Sequence, residues 1–72
     1  MSVLDEVLFM QARLFRMFRE QCQLSPSQAN EIFEQQGIWC FIEECYDYLH
    51  LEGDEAVLSD IFRKLSAQGV AL

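Results

Sequence analysis

Three residues with metal-ligating or nucleophilic side chains, Cys40, Cys45 and His50, follow one another at intervals of five. On a helix, a step of five turns the side chain about 140° away from the last. The three cannot converge on one ion from a continuous helix, and zinc sites draw on tighter pairs such as C-x2-C. His50 is the only histidine, and no Ser or Cys stands at a spacing that suggests a nucleophile and its base. Its place near a helix end suits it instead to bond the last carbonyls. Glu43 and Asp47, four apart, share a helix face, as carboxylates used in acid–base chemistry do when they are buried. Their face is polar, so a solvated pair is expected. Gly37, Gly53 and Gly69 stand singly at segment ends, and none forms a loop that could cradle a phosphate. The residues that could do chemistry therefore predict no catalytic site, no metal and no cofactor. The chain is expected not to be an enzyme.

Composition narrows the remaining classes. Seventy-two residues make one domain, residues 1–72. The 51 % apolar content excludes a disordered chain. Five basic against twelve acidic residues give a net charge of −7, which argues against direct binding of nucleic acid. No run of about 18 apolar residues offers a membrane span. The first residues lack the basic start and cleavage site of a signal peptide, with Asp5 and Glu6 interrupting them. Cys22, Cys40 and Cys45 are odd in number, where a small secreted domain carries paired cysteines. Buried thiols in a reducing, cytoplasmic setting are expected.

The elements that must position these residues are helices, because apolar residues recur at helical spacing and no segment alternates. The first is predicted over 3–22, with Ser2 as N-cap and Asp5 and Glu6 in the first turn, where the helix dipole favours anions. The second opens with Ser25-Pro26-Ser27-Gln28, a capping box with Pro at its first position, and closes at Gly37. Leu24 and Ala29 can staple its entry. The third is predicted from Ile38 to about His50, with Ile38, Phe41, Ile42, Cys45 and Leu49 inward and Trp39, Tyr46 and Tyr48 at the flanks. The fourth is predicted over 54–67, with Asp54 as N-cap and Gly69 closing it. The tail from Val70 to Leu72 is expected to fray.

Two further patterns point to binding. The first helix carries two adjacent apolar seams, one of Leu4, Leu8, Gln11, Phe15, Phe18 and Cys22, the other of Val3, Val7, Met10, Leu14 and Met17. A helix in a small bundle buries a narrower stripe, so either its own chain covers both seams or one meets a partner. Gln11 lies mid-seam, where a polar residue fixes register. Phe9 lies on the polar face, and Phe9 and Trp39 fit the inward faces poorly; aromatic residues of this kind anchor interfaces. Charge is also divided. Residues 1–24 sum to zero, residues 25–72 hold all of the −7, and no Lys or Arg lies between Arg19 and Arg63. Within that gap Glu43, Glu44 and Asp47 offer an acidic face to a basic protein.

The stretch from Leu24 to Ile61 resembles a family of short bacterial proteins, domain-of-unknown-function family 3791. The resemblance rests on Leu24-Ser25, Ile32-Phe33, Gly37-Ile38, Phe41-Ile42, Cys45-Tyr46-Asp47, Leu49-His50, Gly53-Asp54-Glu55 and Asp60-Ile61. It implies a gene often placed beside one for an ADP-ribosyltransferase-like protein, as in a toxin–antitoxin or regulatory pair. It implies no catalytic residue.

The sequence thus predicts an all-α, small four-helix single domain acting as a non-catalytic protein-binding module. The expected partner is a neighbouring-gene enzyme toward which the chain is antitoxin-like or accessory. The expected contact residues are Phe9, Gln11, Trp39, Glu43, Glu44 and Asp47. A homodimer through the first helix and an acidic mimic of nucleic acid are the alternatives.

Overall fold

The computed structural model describes residues 2–71. Among them are five α-helices and no strand: α1 (Val3–Cys22), α2 (Pro26–Gln35), α3 (Ile38–Glu44), α4 (Tyr46–Leu49) and α5 (Asp54–Ala67). The all-α domain stands, with the predicted third helix divided in two.

Local chemistry sets most of the boundaries. Ser2 Oγ accepts the Asp5 N–H at 3.2 Å and starts α1. At α2 the capping box is complete: Gln28 N–H donates to Ser25 Oγ at 3.1 Å and Ser25 N–H to Gln28 Oε1 at 3.0 Å. Gly37, at φ 69°, takes the left-handed turn between α2 and α3. α5 closes on Gly69 at φ 83°, where Val70 N–H donates to Leu65 O and Gly69 N–H to Ser66 O, each at 3.0 Å. That is a Schellman closure. It ties Val70 back, and the side chain packs on the core. Fraying was expected of this tail, but Val70 is held; Leu72 lies outside the described residues.

The end of α1 falls at Cys22 as predicted but with an unusual cap, and two other boundaries depart from expectation. α1 ends in the same closure with Gln23 rather than a glycine in the left-handed region, at φ 55°, and Leu24 N–H on Arg19 O at 3.0 Å. Gly53, extended, is the N-cap of α5, and Asp54 is its first helical residue. The Asp54 carboxylate is taken by the Arg13 fork, at 3.0 and 3.4 Å, instead of capping its own helix. The third predicted helix breaks at Cys45, whose φ of −101° and ψ of 10° leave the helical region. Nothing in the sequence around Cys45, neither Gly nor Pro, explains that break.

The core lies between α1 and the shorter helices. Leu14, Phe18, Phe33, Ile38, Ile42, Leu49, Val57, Ile61 and Leu65 are fully enclosed. An aromatic group joins three helices: Phe15 stacks on Trp39 at 5.2 Å between ring centres, and Phe33 meets both edge-on, at 5.4 and 4.9 Å. Twenty residues make α1 about 30 Å long, against about 15 Å for α2 and 10 Å for α3. α1 therefore runs most of the 35 Å long axis, and no short neighbour matches its length. Its later turns are covered by α2, α3 and α5, while Val3, Leu4, Leu8 and Phe9 stay more than half exposed. Of the described helices, none is long and apolar enough to cross a membrane.

Candidate functional site

The sequence-predicted contact residues separate into two groups. Gln11 and Trp39 are engaged within the chain. Gln11 Nε2 donates to Trp39 O at 3.0 Å, and Trp39 Nε1 donates to Asn30 Oδ1 at 3.2 Å. Both side chains are half-buried, so Gln11 fixes the register of α1 on α3 inside one molecule, and Trp39 anchors α2 to α3. Phe9, Glu43, Glu44 and Asp47 are exposed. Among the described residues no cation pairs with Glu43, Glu44 or Asp47; the ion pairs are Arg13–Asp54, Arg16–Glu20 and Arg63–Asp60. Asp54 and Asp60 are thus taken up by arginines, which removes them from a free row of phosphate-like charges.

Two hydrogen bonds tie the segment that carries the free acids to the first half of α1. Trp39 is joined to Gln11, and seven residues later Tyr46 OH donates to Glu6 Oε2 at 3.2 Å. Between these two links, α3 and the start of α4 run back along α1 toward its first turns. Leu4 and Leu8, 62 % and 53 % exposed, lie one turn apart there. Glu43, Glu44 and Asp47 are exposed on the segment between and just past these links, and Tyr48 is exposed with them. Sequence reasoning found the acids and the surplus seam separately. It did not find which leucines stay open, although the disparity in predicted helix lengths carried that signal.

The groups with chemical potential are apart and quiet. Cys40 is exposed, contrary to the expectation of buried thiols, because it sits on the outer face of α3; Cys22 and Cys45 are half-buried, and all three are free. Burial pushes the Cys22 thiol up, which lowers its reactivity. His50 is exposed, stacks on Tyr46 at 5.1 Å and places Nδ1 2.9 Å from Tyr46 O, so that nitrogen carries the proton. Desolvation, with the neighbouring Glu6 carboxylate, raises the Tyr46 phenol. Among the described residues no three Cys, His, Asp or Glu side chains gather as metal ligands. An open groove of about 820 Å³ between α1, α2 and α5 is floored by Cys22, Leu24, Ile32 and Phe62; none of the expected contact residues reaches it.

A sequence model of the family described as protein of unknown function (DUF3791) matches residues 9–67. The chain belongs to that family. No curated protein and no solved structure matches it.

Proposed function

We propose that this DUF3791 member is a non-catalytic protein-binding module. Its contact surface is the end of the molecule formed by the first turns of α1 and the α3–α4 segment. The observations that carry the reading are the uncovered pair Leu4 and Leu8 and three exposed acids that no cation pairs among the described residues. Two apolar steps on a helix would seat a partner's side chains, and Glu43, Glu44 and Asp47 would meet its basic residues. The partner that fits is a basic, amphipathic protein segment. The resemblance to short proteins encoded beside ADP-ribosyltransferase-like enzymes supports such an enzyme as the partner, with this chain antitoxin-like or accessory to it.

The test is co-purification of the intact chain with the product of its neighbouring gene. Recovery of a complex from a two-protein mixture at micromolar concentration is the expected result. Failure to bind at that concentration would overturn the reading. Binding should weaken as salt rises, because exposed charges are screened beyond about 8 Å at physiological ionic strength.

A further inference from the structure

We propose that a second stripe of α1, formed by Asp5, Phe9, Ala12 and Arg16, pairs antiparallel with the same stripe of a second copy of this chain. It lies around the helix from Leu4, uses none of Leu4, Leu8, Glu43, Glu44 and Asp47, and gives Phe9, expected from the sequence to meet the partner protein, to the second copy instead.

The four residues are spaced four, three and four apart. Those steps keep them within about 60° of one another around the helix, and all four are exposed. The stripe reads acid, aromatic, small, base. Turned end for end, it presents the complementary order at the same spacing. The antiparallel register that sets Phe9 over the partner's Ala12 sets Asp5 over the partner's Arg16, and the two-fold axis repeats both contacts. The small side chain of Ala12 lets the helices approach where the Phe9 ring must lie. A parallel pair in register would bring Asp5 against Asp5 and Arg16 against Arg16, so charge selects the antiparallel order.

The ends of the stripe are free to engage. Asp5 has no ion-pair partner among the described residues. Arg16 reaches Glu20 only at 3.9 Å, with both side chains mostly exposed, a contact of little strength. The occupant follows from the same charges. α1 is neutral overall while the rest of the chain holds the −7, so two copies can meet along α1 and keep their acidic faces apart. A different protein would have to supply the reversed charge order independently, whereas a second copy supplies it by symmetry.

Sedimentation equilibrium of the intact chain, up to millimolar concentration, tests this. The wild type is expected to reach a dimer. Asp5→Arg and Arg16→Asp are each expected to weaken dimerisation by about tenfold or more, and the double reversal to restore it to within about threefold. Reversal of Asp5 also opposes the dipole of α1, so Ala12→Gln serves as a second variant. It keeps helix propensity, fills the crossing point and is expected to give a monomer with unchanged helical circular dichroism. A monomeric wild type at millimolar concentration, a double reversal as weak as the single ones, or an Ala12→Gln dimer of wild-type strength would overturn the proposal. Capture of the neighbouring enzyme by a monomeric chain would overturn the dimer alone and leave the binding module standing.

Discussion

Phe9 and Trp39 look alike in the sequence, two aromatic residues placed awkwardly for an inward face, yet their surroundings are opposite. Trp39 stacks on Phe15, meets Phe33 edge-on and hydrogen-bonds Asn30. Phe9 is 54 % exposed. Trp39→Ala should cost about 3 kcal/mol of unfolding free energy, the low end for a buried aromatic, and Phe9→Ala no more than about 0.5 kcal/mol. Urea denaturation of the two variants checks this; equal costs would contradict it. Glu52 carries a second prediction. Its Oε2 is enclosed without a hydrogen-bond partner, and desolvation first, then the neighbouring Asp60 carboxylate, raise the carboxyl above its ordinary value of 4.5. The native state therefore keeps a proton that the unfolded chain releases. The stability from that proton is present below about pH 4.5 and is lost as pH rises through the raised value. Glu52→Gln, which keeps a donor toward Asp60, should flatten that fall in a series of urea midpoints against pH. Parallel profiles for the two proteins would contradict it.

Element by element, the helices were legible where local chemistry marks them. Ser2, the Ser25–Gln28 box, Gly37 and Gly69 each announce a helix end by residue type, and each performs that role. Cys45 and Gln23 were not legible because neither residue type favours the backbone that it adopts. Asp54 was misplaced by one residue because a long-range partner, Arg13, claimed the carboxylate that local rules assign to capping. Gln23 yields a test at this scale. A side chain in the left-handed region costs about 1–2 kcal/mol, and glycine escapes that cost at some expense in chain entropy. Gln23→Gly should therefore stabilise the protein by about 1 kcal/mol and raise Tm by roughly 4–8 °C. A lower Tm for Gln23→Gly would contradict the account of how α1 ends.

For the whole molecule, one helix of 20 residues serves as the spine for shorter neighbours. Its two apolar seams were visible in sequence, but the choice between self-covering and partner contact was not, because periodicity reports which face is apolar and not how far neighbours reach. The structure covers one part of the seams and leaves another open. Leu14, Phe15 and Phe18 are covered by the chain itself, and Leu4 and Leu8 are left open. The segment that carries the acids, distant in sequence, is laid back along the first half of α1 by Trp39–Gln11 and Tyr46–Glu6. The proposed binding surface is thus a product of folding that neither stretch displays alone. Calorimetric titration of the intact chain with the protein encoded beside it, for the wild type and for Leu4→Gln/Leu8→Gln, measures its role most directly. Micromolar or tighter binding by the wild type is predicted, weakened about tenfold or more in the variant; equal affinities, or no binding by the wild type at micromolar concentration, would contradict the assignment.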